Sequence, residues 1–432
     1  MIAKENKIYL IKNFDKYFKI YLSWLLFFGV FYLYYKHNVG NDTSISEYLI
    51  NYQGGFIRRG FIGEIIFRYS EYFDLNLRFQ IFIFQSLIYT IFVILLFNLF
   101  KGFEKNVVIL FAIYTPIFLM FPVAELESLG RKDQYLYVFF LSLVLIRDSK
   151  NANYFVFFIL PIFCMIYEEI ILFSPFIYSV VLLKNKVKNL RSTIKLSLLF
   201  IPSVIIFFYF LIYPLSPEEH KIMENSLMTK FGERCYMSCN LVITNDITNF
   251  SSMIAYIWGH PGVNLPVILI RYFFVFLIGF YPIFLLCYHS NFQKNIFFSK
   301  IKLKNILLFI LLLYIPIIPL FIFGGDWGRW IGMVITFTTI FYFYLFKNDF
   351  IKIDNLTLYK KLSFFKNKKK LVTFIFIFFA FGWNQKTTNV EDIASNPIYK
   401  IPYNAAKKTF NWDSYQILQD NIIIKFHKKI TE

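Results

Sequence analysis

The chain has 432 residues, 57% of them hydrophobic and 17% charged, with 58 phenylalanines and a formal net charge of +18. A soluble fold of this length cannot hide that much apolar surface, so the composition excludes a soluble globular enzyme and indicates a multi-spanning membrane protein. The basic excess does not indicate nucleic acid, because Lys and Arg fall mostly in short segments between apolar runs, the arrangement that orients helices in a bilayer.

Residues 1 to 19 are polar and carry five lysines, and the apolar run from about 20 to 35 follows. No small-residue cleavage site comes after it, so it reads as an uncleaved anchor. Further apolar runs lie at roughly 79–100, 106–123, 135–147, 153–166, 170–183, 196–213, 264–288, 305–323, 329–346 and 371–384, which with the first makes about eleven transmembrane helices. Several fall short of the ~20 residues of a perpendicular span, so tilted or broken helices are expected. The run from 153 to 183 has Tyr167-Glu168-Glu169 at its centre, either a tight turn between two short spans or the broken middle of one long helix. The expected fold class is an all-α polytopic membrane domain over 1–384, with external loops 36–78, 124–134 and 214–263 and an external tail 385–432. Phe, Ile, Lys, Asn and Tyr are all over-used, as in an AT-rich genome, so no phenylalanine stripe is read as a binding feature.

The lysine-rich segments 1–19, 101–105, 147–152, 184–195, 289–304 and 347–370 would face the cytoplasm. That puts the N-terminus inside and the C-terminus outside. Every motif with unusual charge then falls on the external side. The first is Asn51 to Glu64, with four glycines and the adjacent Arg58 and Arg59. Glycines let backbone approach a ligand closely, and paired guanidiniums suit a doubly charged oxyanion such as a phosphate. The same stretch also reads as an amphipathic surface helix whose Arg58, Arg59 and Arg68 reach lipid phosphates.

Gly130-Arg-Lys-Asp133 sets two cations beside a carboxylate. Arg131 and Lys132 would hold an anionic group while Asp133 orients one of them or takes a proton. Alternatively Glu125, Glu127 and Asp133 simply pair with the two cations at a helix end. Glu168 and Glu169 lie between apolar runs, where an unpaired charge is expensive and an acid is functional by default. Gly324-Gly-Asp-Trp-Gly-Arg-Trp330 places Asp326 one helical turn before Arg329. Trp327 and Trp330 suit either a membrane interface or stacking on a sugar ring.

Cys164 and Cys287 lie in apolar runs as packing residues, whereas Cys235 and Cys239, four apart in an external loop, suit a disulfide. There is no Gly-rich nucleotide loop, HExxH, C-x-x-C or Cys/His metal spacing, so no metal and no cofactor are expected. His220 and His260 read as solvated loop residues.

Arginines and isolated carboxylates on the outer side of a polytopic protein fit a lipid-linked sugar diphosphate entering from the bilayer. The cations would stabilise the leaving diphosphate, and a carboxylate would accept the proton of an attacking hydroxyl. The Gly-Gly-Phe-Ile-Arg-Arg-Gly stretch at 54–60, Gly-Arg-Lys-Asp at 130–133 and Asp-Trp-Gly-Arg-Trp at 326–330 together resemble bacterial O-antigen and capsule polysaccharide polymerases and, more broadly, GT-C type glycosyltransferases. The resemblance implies polymerisation or transfer of undecaprenyl-diphosphate-linked repeat units at the outer face of the inner membrane. Membrane lipids and other polysaccharide assembly proteins would be its partners, without nucleic acid. It also implies an essential acid in the first external loop, matched here by Asp42 and Glu47. Asp133, Glu168 and Asp326 remain rival candidates for the base. A flippase of the same lipid-linked oligosaccharide is the competing reading, although flippases generally show related halves with charge on both sides of the midplane. A non-catalytic scaffold is the third.

Overall fold

The computed structural model describes residues 13–38, 43–102, 106–187, 189–243, 265–293, 306–354, 357–358, 365 and 368–387, with 397, 401 and 409 singly. Asp42 and His260 lie outside the described residues, as does most of the segment after 387.

The chain is mostly helical, and seven helices are long and apolar enough to cross a membrane: Phe14–His37, Leu77–Phe100, Val107–Ala124, Ser149–Ile166, Leu190–Ile212, Pro266–Tyr288 and Trp327–Lys347. Shorter apolar helices cover Asp133–Leu145 and Ile306–Ile322. Ser174–Lys184 and Lys369–Phe381 add two more helices where apolar runs were expected. The protein is therefore an all-α, polytopic membrane protein. Its outward faces carry rings such as Phe27, Phe374 and Phe378, as a lipid-facing surface requires.

Helix starts are set locally. Asn76, Asn106, Asp148 and Asn189 each accept a hydrogen bond from the backbone N–H three residues on, at 2.9, 2.9, 2.8 and 2.9 Å. Such caps satisfy donors that the first turn would otherwise leave open. Prolines break several spans. Val107–Ile113 passes through a π-turn at Pro116–Met120 into Phe121–Ala124, and at the break the Thr115 hydroxyl donates to the Gly279 carbonyl at 2.8 Å. Pro316 and Pro319 likewise interrupt Ile306–Phe323.

The long run 153–183 is a tight hairpin. Ser149–Ile166 ends at Tyr167, a 3-10 turn covers Glu168–Phe173, and Ser174–Lys184 returns. Asn153 near the start and Asn185 past the end exchange amide hydrogen bonds at 3.1 and 2.8 Å, which fixes the two arms side by side.

One end of the bundle is tied together by lysines and turns. The Lys347 ammonium donates to the carbonyls of Asn98 and Leu99 at 2.7 and 2.8 Å, and Lys184 donates to Val144 at 3.2 Å while lying over the Tyr344 ring. Short antiparallel strands Ser290–Phe292 and Ile351–Ile353 pair at this same end. The unusual charge motifs lie at the opposite end. The axis between the two ends is helix Trp327–Lys347, buried along nearly its whole length.

Candidate active site

Five separate segments deliver the charged side chains. Helix Thr43–Leu49 carries Glu47 with no exposed surface. Arg58 and Arg59 close the loop before helix Gly60–Tyr72, and Arg59 takes a left-handed backbone at φ 63°. This helix can enter the bundle because of Gly63: a Cβ there would lie 1.8 Å from the Ile50 carbonyl oxygen, so only glycine fits. Arg131, Lys132 and Asp133 lead into Asp133–Leu145, Glu168 and Glu169 form the hairpin turn, and Asp326 and Arg329 begin Trp327–Lys347.

These segments meet in one ionic network. The Arg59 guanidinium grips Glu168 with Nε at 3.0 and 3.1 Å from its two oxygens and Nη2 at 2.8 Å, and reaches Glu169 at 3.4 Å. Arg58 approaches Glu168 at 3.8 Å and donates to the Leu241 carbonyl at 2.9 Å. Arg131 lies 3.0 Å from Asp326 and 3.4 Å from Glu47. Arg329 sits among four acids: Asp326 at 3.3 Å, Asp133 at 3.7 Å, Glu47 at 3.8 Å and Glu169 at 3.9 Å. Lys132 is wholly buried; its ammonium donates to the Arg59 carbonyl and lies over the Tyr48 ring, and its backbone N–H donates to Glu47 at 3.2 Å. The Tyr167 ring underlies Arg59 at 4.7 Å, a cation–π contact.

All of the described charged candidates therefore share one site, joined by Glu169. The expected alternative pairing of Arg131 and Lys132 with Glu125 and Glu127 does not occur: the two cations turn to Glu47, Asp326 and the Arg59 carbonyl instead. Nor do Arg58, Arg59 and Arg68 all reach outward. Arg58 and Arg59 point into the site, and Arg68 alone is exposed, paired with Glu64 at 2.8 Å.

Environment divides the two adjacent glutamates. Burial pushes the Glu168 carboxyl up, but the Arg59 and Arg58 charges and the Arg59 hydrogen bonds outweigh it and hold the group below its ordinary range. Burial also dominates at Glu169, where Arg329 and Arg59 only partly offset it, so Glu169 binds its proton more tightly than usual. Burial lowers Lys132 to about 7, opposed by Glu47.

Arg131 Nε and Arg329 Nε and Nη1 are buried with no hydrogen-bond partner among the described residues. Buried guanidinium N–H groups left without acceptors are costly. An anion with several oxygens would satisfy them. No family model, curated protein or solved structure matches the chain.

The tryptophans border the network. Trp327 donates its indole N–H to Gly324 at 3.0 Å and packs edge-on against Tyr272; Trp330 packs edge-on against Phe321. Trp327 also lines an apolar cavity of about 640 Å³ between Leu269–Phe280, Tyr314–Phe321 and its own helix.

The sequence reading missed a strap. Residues 384–387, taken there as the end of the last span and the start of a free tail, cross the start of Trp327–Lys347. The Thr387 carbonyl accepts from the Gly328 and Arg329 backbone N–H groups at 3.1 and 3.3 Å. Gln385 donates to the Gly328 carbonyl, and Asn384 donates to Glu125 at 3.1 Å. The only signal was the amide pair Asn384-Gln385 straight after an apolar run.

Proposed function

We propose that the protein is a membrane glycosyltransferase that polymerises or transfers oligosaccharide units carried on a polyprenyl diphosphate. The carrying observation is the convergence of Arg58, Arg59, Arg131, Lys132 and Arg329 with five carboxylates at one end of an apolar bundle, where buried guanidinium N–H groups of Arg131 and Arg329 lack a hydrogen-bond partner among the described residues. Burial among lipid-facing helices suits a substrate that arrives from the bilayer, and the cation cluster suits a diphosphate leaving group.

In this reading the acceptor hydroxyl attacks the anomeric carbon. The bond from that carbon to the diphosphate oxygen breaks, its electron pair leaves with the diphosphate, and the arginines stabilise the growing charge. A carboxylate takes the hydroxyl proton. Glu168 spends its lone pairs on Arg59 and acts as a positioning group. Glu169, with its raised proton affinity, is the better base, with Asp133 and Glu47 next to the same Arg329. The site end faces the outer side of the inner membrane, because the opposite end carries the lysine-rich segments. Confinement of the charges to one end, rather than along a path through the bundle, favours transfer over flipping.

The test is purified protein in nanodiscs with an undecaprenyl-diphosphate-linked oligosaccharide and no nucleotide. A ladder of chain lengths is expected. Movement of the lipid-linked glycan across a liposome membrane without a ladder would replace this reading with a flippase.

A further inference from the structure

Outside the ionic network lies a second cluster of reactive side chains. Helix Pro217–Phe231 opens with a complete capping box, in which Ser216 accepts from the Glu219 N–H at 3.2 Å and the Glu219 carboxylate accepts from the Ser216 N–H at 2.8 Å. This rigid start aims His220 inward, where it is 6% exposed. The chain passes Gly232 at a left-handed φ of 67° and folds back, bringing Cys235 and Cys239 against the imidazole. His220 Nε2 is 3.1 Å from Cys235 Sγ, and the nitrogen and both sulfurs lie within 4.8 Å of one another, all buried. The cysteines are bridged to each other. No Cys/His spacing signals this in the sequence, because His220 comes from a different element and only the turn at Gly232 closes the distance.

The imidazole is poorly served by the bridge. Cys235 Sγ is the ring's hydrogen-bond partner among the described residues, and a disulfide sulfur is a weak acceptor and no donor. A buried ring nitrogen facing two sulfurs has a stronger partner available in a metal ion, since Cys thiolates and neutral imidazole are the ordinary donor set for zinc and related cations.

We propose that His220, Cys235 and Cys239 form a metal site for a thiophilic cation such as Zn²⁺, which assembles when the bridge is reduced. A dithiol donates two electrons and two protons, becoming a disulfide itself, and the Cys235–Cys239 bond breaks to two thiols. The incoming Zn²⁺ displaces both thiol protons to solvent and takes the Nε2 lone pair once the ring proton, which the bridged form holds on Nε2 towards Cys235 Sγ, has moved to Nδ1. Three protein donors leave a fourth position for water or an exogenous ligand. Either form fastens the segment on both sides of Cys239, where the Ser238 N–H donates to the Ser46 hydroxyl at 3.2 Å and the Leu241 carbonyl holds Arg58. The loop is thus anchored to the ionic site both in oxidising surroundings and in reducing, metal-replete ones.

The test uses the full chain in detergent. After a dithiol treatment and its removal, alkylation under denaturing conditions counts the thiols released, and Co²⁺ is added to the unalkylated folded protein. A thiolate-to-cobalt charge-transfer absorption that saturates at a single Co²⁺ per chain, is erased by Zn²⁺, and is absent from the oxidised protein is expected. His220→Ala and Cys239→Ser should each lose it, and His220→Ala should still form the disulfide, which shows that it folds. A bridge that resists reduction in the folded protein, no absorption after reduction, or an absorption unchanged in His220→Ala would each overturn the proposal. None of these readouts depends on glycosyl transfer.

Discussion

Neighbouring residues of the same type carry different work here because their partners differ. Glu168 takes the closest contacts of the Arg59 guanidinium, so Glu168→Gln leaves Arg59 only the longer contact to Glu169 and should destabilise the protein by up to ~3–5 kcal/mol. Thermal unfolding in detergent measures this. Glu169→Gln removes the proposed base instead and should lower turnover by ~10²-fold or more with a nearly unchanged melting temperature. The reverse pattern would exchange their roles. Arg59→Lys keeps the charge but cannot span both Glu168 oxygens, so the ladder should shorten sharply. A full ladder would remove the fork from the mechanism. Lys132 supplies a pH dependence. It is a cation below about 7 and loses its proton as the pH rises through that value, so affinity for a diphosphate should fall across that step. A Lys132→Met variant should bind more weakly at low pH and lack the step in a binding titration.

Among the elements, the strap at 384–387 links the last apolar helix to the site. Gly328 is the contact that only glycine allows, since a Cβ there would lie 1.6 Å from the Lys386 carbonyl oxygen. Gly328→Ala should push the strap away and tilt Arg329, and displacements of that size cost ~10²-fold in rate when they misplace a reacting group. Turnover and the size-exclusion profile together check this: a monodisperse variant with full activity would show that the strap does not position Arg329. Sequence reading found the charged motifs because carboxylates and guanidiniums stand out in an apolar chain. It could not find the strap, since Thr387 acts through its backbone carbonyl, which leaves no residue-type signature, and the side-chain amides of Asn384 and Gln385 reach Glu125 and the Gly328 carbonyl, partners far away in the chain. It left the centre of 153–183 open because Tyr167-Glu168-Glu169 suits a turn or a broken helix equally, and the pairing that holds the two arms together, Asn153 with Asn185, lies at the far ends of the hairpin.

For the molecule as a whole, periodic apolar runs made the polytopic class legible, and alternation of lysine-rich and motif-bearing segments made the two ends legible. Helix breaks at Pro116 and Pro316 were not placed, because proline marks where a helix can bend without saying whether the surrounding packing will make it do so. The pairing of Ser290–Phe292 with Ile351–Ile353 joins two segments read as cytoplasmic. Cysteines introduced at Asn291 and Lys352 should react with an impermeant maleimide only after the cells are permeabilised. One at Lys221, beside the site end, should react in intact cells. Labelling in the opposite sense would invert the protein.

The ionic network contains its own competitors. Each guanidinium that could receive a diphosphate already leans on a carboxylate, and Glu169 in particular shares Arg59 and Arg329. An arriving dianion must draw those cations away, and a carboxylate that loses its counter-charge while gaining a negative neighbour holds a proton more tightly. Substrate arrival would then raise the proton affinity of Glu169, so that binding pulls protons from the medium and only the fraction left ionised serves as base. Titrations in buffers of different ionisation enthalpy would reveal that uptake as a binding heat that follows the buffer.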